Sequence, residues 1–563
     1  MRTNQYGGRR WARAAATLAA AGLWVGAGTA QAGSIPVDFQ PVAVGGQAAP
    51  GTGGAMFNTN QSTFSNPLIN AVGDVAFSAT LLQAGPVNST NDLGVWAGPP
   101  SALVVATREG TMAPGAGGAL FGASQTVLGL GHGGQVAVRS SLAGAGVITS
   151  GSTANSVGVW TGLPGSLGLL ARENSAAPGL GGALFGVGGF TSAALTVNPA
   201  GQTAFFANLR TAVAGVTTAN DRTLWTGAPG SLTLVAREGF AAPGTAGANF
   251  NVLPSTVALN SAGNVAFTGS LTGGDSVTGV NNSGLWVGPA GGLSLAVRQG
   301  DAAPGTGSGL FGSVLDPTLN SAGRVMFRGS ITGAGVDSTN DAGLWSGLPG
   351  SLDLVARKGD AAPGVASGVF TGVGLNTRLY SGSDRVVFNG SANDGGASDR
   401  FGLWHGVPGS ISKIAVTGDT APGIAGGVFE STFGGVSSNG VGQVAFTALV
   451  SGAGVDATND LGLFVADPFG GLELILRKGE LFDVDADPMG VDLRTISDIR
   501  LAGGSAVVDG RSAAFNDDGL LALQLFFTDS TAAVVTARIP LIPAPSGAAL
   551  LGLAAAAVSR RRR

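Results

Sequence analysis

Residues 318–364 read TLNSAGRVMFRGSITGAGVDSTNDAGLWSGLPGSLDLVARKGDAAPG, and the punctuation of this stretch decides the fold. Thr318-Leu319-Asn320 leads into a turn at Ser321-Ala322-Gly323, after which Arg324 to Ile331 alternates as a half-buried antiparallel strand does. A loop through Asp337-Ser338-Thr339-Asn340-Asp341 precedes a third strand at Leu344-Trp345. Pro349-Gly350 is a turn dipeptide, in which Pro presets one φ and Gly supplies a positive one. Leu352 to Arg357 forms a fourth strand, closed by Gly359-Asp360-Ala361-Ala362-Pro363-Gly364.

The same unit recurs along the chain, and internal repetition is the first thing to settle in such a sequence. The Ala-Pro-Gly turn places its proline at 50, 114, 178, 243, 304, 363 and 422, at spacings of 64, 64, 65, 61, 59 and 59. An Asn-x-x-Gly-x-x-[Ala/Met]-Phe element runs Asn70–Phe77, Asn198–Phe205, Asn260–Phe267, Asn320–Phe327 and Asn439–Phe446. Degenerate copies lie at Gly131–Val138, Ser381–Phe388 and Asn516–Leu523. A Gly-Leu-Trp-type strand follows each time, at Trp96, Trp160, Trp225, Trp286, Trp345 and Trp404, with Phe464 in the seventh place. Six of the eight tryptophans hold this one slot, a register that chance does not produce.

Four-stranded units repeated side by side predict an all-β chain folded as a β-propeller, in which each blade buries a face on the next. Counting each slot gives eight blades. The body begins with Pro41-Val42-Ala43-Val44, a fourth-strand sequence, and ends with Leu520 to Phe527 and Ala532 to Arg538, which match strands two and three. The first strand therefore completes the last blade and leaves no free sheet edge. An open solenoid or a row of small sandwiches is the alternative arrangement of such units.

Composition agrees. Glycine reaches 98 of 563 residues while apolar residues still make up 44%, which suits short strands joined by tight turns and excludes a disordered chain. Absence of cysteine removes disulfides, thiolate metal sites and cysteine nucleophiles. Only His132 and His405 can shuttle protons near neutrality. They fall in different slots of different units without a Ser/Asp constellation in sequence, which argues against a catalytic triad.

The two ends read as processing signals. Arg2, Arg9, Arg10 and Arg13 precede an apolar run from Ala14 to Val25 and an Ala30-Gln31-Ala32 site, the layout of a secretory signal peptide over residues 1–32. At the other end Pro543-Ala544-Pro545 precedes an apolar stretch from Gly547 to Val558 and four arginines, Arg560 to Arg563. This tail, residues 543–563, resembles the PEP-CTERM sorting signals of bacteria, with Ala544 where that signal usually has Glu. The resemblance implies an exosortase-type processing enzyme as a partner and a brief attachment to the inner membrane. Between the tails, residues 33–542 form the repeat domain. Each tail carries four arginines and no acid, so the body holds 21 basic against 33 acidic residues, a net charge near −12. That charge disfavours nucleic acid and anionic lipid as partners. From about Ile35 to Ile539 the in-register repeats resemble the NxxGxxAF tandem-repeat family of bacterial surface proteins, which implies secretion to the cell surface or extracellular matrix and no particular chemistry.

Several repeated residues are candidates for function. The tryptophan slot reads as inter-blade core, with an aromatic platform for sugars as the alternative; the phenylalanine slot reads as core, and the motif asparagine as an Asx turn ahead of its glycine. The loop before the tryptophan strand carries Asn91-Asp92, Asn220-Asp221, Asn281-Asn282, Asn340-Asp341 and Asn459-Asp460, with Asp337 and Asp456 three residues ahead of the last two asparagines. Such oxygen-only clusters form turns, and Asp337, Asn340, Asp341, Asp456, Asn459 and Asp460 are also candidate calcium ligands. The final unit departs from the pattern with Glu480, Asp483, Asp485, Asp487 and Asp492, where Asp483-x-Asp485-x-Asp487 is the best single candidate for a cation loop, calcium being the one cofactor suggested. Arg108, Arg172, Arg237, Arg298, Arg357 and Arg477 read as caps or ion-pair partners at strand ends, with the lining of a central channel as the alternative.

The expectation is an exported surface protein with a non-enzymatic binding, adhesion or matrix role, its partner an extracellular polysaccharide or surface protein. A polysaccharide hydrolase or lyase is the rival, and it requires a pair of acids peculiar to one or two blades.

Overall fold

The computed structural model describes residues 36–540 apart from 191–194, 199, 255, 380–383, 486–489 and 503–513, so both terminal signals lie outside the described residues. All regular elements among the described residues are strands, arranged in eight sheets. Seven sheets use consecutive strands and span residues 68–108, 120–172, 195–237, 249–298, 310–357, 369–416 and 428–477; they are blades 1 to 7. Blade 8 takes Leu493–Leu501, Leu520–Phe527 and Ala532–Arg538 from the end of the chain and Asp38–Val44 from its start. The closing pair is antiparallel, from Asp38 opposite Arg538 to Val44 opposite Ala533. The chain is thus an eight-bladed β-propeller with a split closing blade, as the repeat count predicted.

Blade 5 shows how the unit folds. Its strands are Leu310–Leu319, Val325–Thr332, Ala342–Leu348 and Ser351–Arg357, from the innermost outward. The inner strand is longer than the Thr318–Asn320 read from sequence. Its pairing with the second strand shifts register between Phe311 and Ser313 and again between Leu315 and Thr318, where Asp316 takes a φ of 53°. Two irregularities in ten residues erase the period-2 pattern that would have revealed it.

Eight apolar clusters among the described residues hold the ring, one at each blade junction. In one of them Phe311, Phe327 and Trp345 of blade 5 pack on Ala266, Leu285 and Val297 of blade 4. Another joins Phe77 and Trp96 of blade 1 to Ala522, Phe526 and Val534 of blade 8, which seals the circle. Trp345 stacks on Phe327 with ring centroids 6.0 Å apart and meets Phe311 edge-on at 4.8 Å. Each such aromatic pair adds about 0.5–1.5 kcal/mol beyond the area it buries. The indole nitrogen is also engaged: Trp345 donates to the Pro304 carbonyl at 3.0 Å, and Trp96, Trp160, Trp286 and Trp404 do the same to Pro50, Pro114, Pro243 and Pro363. The tryptophan therefore latches the Ala-Pro-Gly linker that leads into its own blade.

This latch explains a glycine. A Cβ at Gly343 would sit 2.6 Å from the Trp345 ring, and glycine holds the same place two residues before the aromatic in blades 1, 2, 4, 6 and 7. Blade 3 has Thr223 there instead. Its Trp225 donates to the Thr223 hydroxyl at 2.7 Å in place of the linker carbonyl.

Candidate functional site

The antiparallel strand order puts two kinds of connection at opposite ends of the ring. Turns between strands one and two and between three and four share one face. Loops between strands two and three share the other face with the linkers between blades. Most candidate polar residues belong to one face or the other.

On the turn face, the motif asparagines are buried and fully engaged. Asn320 Oδ1 accepts the N–H groups of Ala322 and Arg324, the expected Asx turn. The amide nitrogens reach further than the sequence indicated. Asn70 donates to Gly131 O, Asn198 to Asn260 O, Asn260 to Asn320 O, Asn439 to Asn516 O and Asn516 to Asn70 O, all within 2.9–3.1 Å. Each bond crosses from one blade to the next.

On the loop face, all six repeated arginines cap the Asx loop of their own blade. Arg108, Arg172, Arg237, Arg298, Arg357 and Arg477 donate Nε to the carbonyls of Asn91, Asn155, Asn220, Asn281, Asn340 and Asn459 at 2.7–3.0 Å. Blade 6 has Val416 at that place, and Arg400 from the neighbouring strand donates to Thr417 O at 2.9 Å and pairs with Asp394 and Asp419.

The candidate calcium ligands of blades 5 and 7 are held by their own loops. Asp337 Oδ1 accepts the Thr339 N–H and hydroxyl, and Asn340 Oδ1 accepts the Asp337 N–H. Asp456, Thr458 and Asn459 repeat this arrangement. The threonine hydroxyl, then the threonine N–H, hold the Asp337 and Asp456 carboxyls below the usual carboxylate range. Asp341 and Asp460 are ion-paired with Lys358 and Lys478 at 3.0 and 2.9 Å.

In blade 8, Asp483 Oδ1 accepts the N–H groups of Asp485 and Asp492 at 3.1 and 2.9 Å, which staples the acidic loop together. Asp492 turns to Arg494 at 2.6 Å, and Glu480 caps the N–H of Arg477 at 3.0 Å. Burial raises the Glu480 carboxyl, and Arg494 lowers that of Asp492. Asp487 lies outside the described residues. Among the described residues, no group of three or more His, Cys, Asp or Glu is placed to hold a metal ion.

Two groupings escaped the sequence reading because neither residue stands out without the neighbour that folding brings beside it. His405 is buried in the third strand of blade 6, and its Nδ1 has no hydrogen-bond partner. Burial, then the charge of Arg385, push it down to about 4, against a weaker opposing pull from Asp467 of blade 7. Asp467 is itself buried; its Oδ1 accepts the N–H groups of Phe469 and Gly471 while its Oδ2 has no partner. The second grouping is Glu109 with Asp92 in blade 1. Burial, then the adjacent Asp92 carboxyl, raise Glu109 above the usual carboxylate range.

A closed eight-bladed ring whose repeated polar groups brace turns and loops defines the chain as a repeat propeller. It belongs to a family described as a family of unknown function, DUF7453, which matches residues 38–347 and 341–549. No curated protein matches it. Among solved structures it is similar to the β-propeller domain of the Trilobed protease from Pyrococcus furiosus, at 9% identity and a TM-score of 0.35, over 72% of this chain and 92% of that one. A puromycin-hydrolyzing peptidase from Mycobacterium tuberculosis gives 12% identity and a TM-score of 0.36, over 74% of this chain and 53% of that one. The chain spans about half the length of that peptidase. An α-L-arabinanase from Penicillium chrysogenum complexed with arabinobiose gives 10% identity and a TM-score of 0.26, over 60% of this chain and 94% of that one.

Proposed function

We propose that this protein is an exported, surface-displayed propeller that binds rather than transforms its partner, an extracellular polysaccharide or another surface protein. One observation carries the reading. Asp38 and Arg538 sit opposite each other at the turn face, so the first and last strands of the described residues end at one position of blade 8. The arginine-capped Asx loops occupy the opposite face. A protein held by its C-terminal tail then presents its loop face outward, and those loops are rigid and acidic. Arginine caps and Asx hydrogen bonds fix them before any partner arrives, which lowers the ordering cost of binding. Export and C-terminal sorting by an exosortase-type enzyme complete the proposal, carried by the two terminal sequences.

The test combines two measurements on the full chain. Whole cells treated with protease should lose epitopes placed in the loop at 333–341. The purified protein should be retarded in gels containing its polysaccharide without shortening it. Release of reducing ends or unsaturated sugars would overturn the binding role in favour of a hydrolase or lyase, and protection of the loop epitopes would overturn the display.

A further inference from the structure

In blades 5 and 7 the residue after the capping arginine is a lysine that faces the aspartate after the loop asparagine. In blade 5 these are Lys358 and Asp341, and in blade 7 Lys478 and Asp460; both pairs place the ammonium about 3 Å from the carboxylate. The backbone holds the two slots in constant register. Ile331 N–H donates to Asp341 O at 2.7 Å and Lys358 N–H to Ala342 O at 2.9 Å. In blade 1, Leu81 N–H donates to Asp92 O at 2.6 Å and Glu109 N–H to Leu93 O at 2.8 Å. The same scaffold that sets a lysine against Asp341 therefore sets Glu109 against Asp92.

Blade 1 thus sets two carboxylates where blades 5 and 7 have one carboxylate and one cation; blades 2 and 3 also carry glutamate in this place, as Glu173 and Glu238. Glu109 is only 5% exposed, and its Oε2 has no hydrogen-bond partner. A buried carboxylate oxygen without a donor is costly. Blade 3 repeats the acid pair as Asp221 and Glu238, where burial likewise raises Glu238 but donors surround it. Glu238 accepts the N–H groups of Arg222 and Leu253 at 3.3 Å each, and the Arg222 guanidinium lowers its cost. Blade 1 has Leu93 where blade 3 has Arg222. Arg108 does not fill the gap, because its Nε is held by Asn91 O, as Arg357 is held by Asn340 O in the blade that has a lysine as well. Gln83 adds a side-chain amide 2.6 Å from Asp92 Oδ2, on the solvent side of the pair.

We infer that blade 1 binds one divalent cation of the calcium class between Asp92 and Glu109, in the place that lysine ammonium takes in blades 5 and 7. Oxygen-only ligands and an open side suit calcium, which completes its shell with water and the Gln83 carbonyl once that amide turns over. The site differs from the acidic loop of blade 8 and does not depend on the protein's display.

Melting of the full chain at pH 7.5 in millimolar calcium chloride and in chelator tests this. Calcium should raise the wild-type midpoint by several degrees. Glu109→Lys, which copies blades 5 and 7, should melt higher than wild type in chelator and lose that calcium-dependent rise. Glu109→Gln guards against a lysine that fails to fold; calorimetric titration should show it binding one calcium ion fewer per chain than wild type. Equal calcium responses in wild type and both variants would overturn the site. So would a wild type that ignores calcium but gains stability on acidification towards pH 5, the mark of two carboxyls sharing a proton.

Discussion

The side chain of Asn516 donates to the main-chain carbonyl of Asn70 at 3.0 Å, across 446 residues of sequence. Asn439 reaches Asn516 in the same way. Together they bind blade 7 to blade 8 and blade 8 to blade 1, beside the junction where the two ends of the chain meet. Asn516 Oδ1 meanwhile accepts the N–H groups of Asp518 and Leu520.

Asn516→Ala should therefore remove an inter-blade bond and strip two N–H groups of their acceptor. Buried groups left unpaired in this way cost about 2–3 kcal/mol in total. A urea unfolding series should show the midpoint falling with little change in slope, and a loss below about 0.5 kcal/mol would show that the bond carries no weight.

Gly343→Ala should destabilise blade 5 although it adds one methyl group. The new Cβ meets the Trp345 ring at 2.6 Å and must displace it from both its stack on Phe327 and its bond to Pro304. Overpacking of this kind costs about 1–3 kcal/mol. Trp345→Phe should cost less than a full truncation, because it keeps much of the stacking and loses the linker bond. Thermal melts of the two variants check the order.

Arg357→Lys should loosen the blade 5 loop without unfolding the ring, since an ammonium on a flexible stem does not reproduce the directed Nε bond to Asn340 O. Limited proteolysis should cut variant chains within residues 333–341 several-fold faster than wild type. Arg298→Lys should act more strongly, because that guanidinium also pairs with Asp275 at 2.6 Å.

His405 predicts an acid-sensitive junction between blades 6 and 7. Its folded value of about 4 lies below the ordinary 6.5, so the unfolded chain takes up a proton first as pH falls. Stability is then lost progressively from about pH 6.5 down to pH 4, by roughly 3 kcal/mol from this residue alone. His405→Ser installs the residue that blade 5 has at that place, Ser346, and should flatten that part of the pH profile. An unchanged profile would assign the acid sensitivity elsewhere.

How far the sequence reaches follows from what kind of signal each residue leaves. The tryptophan, phenylalanine and Ala-Pro-Gly slots recur in register, and all six repeated tryptophans are buried. Blade number and ring closure were therefore legible, as was the capping role of the arginines. The inner strand was read short because bulges around Gly312 and Asp316 break its alternation. The bonds from Asn70 to Gly131 O or from Asn516 to Asn70 O were not legible, because they depend on which blades meet. Glu109 and His405 were missed for a related reason. Glutamate also follows the capping arginine in blades 2 and 3, and the place of His405 varies from blade to blade, so the significance of each appears only beside Asp92 or Asp467.

The split closing blade also decides how the ring would answer a pull. Asp38 lies opposite Arg538, so tension drawn between residues 36 and 540 loads one end of the paired strands. Pairs would then part in succession from that end, as a zipper opens, and the peak force stays low. Tension borne by the C-terminal tail alone spares that pairing. Mechanical weakness is thus confined to one seam, and it is reached only when both ends are held at once.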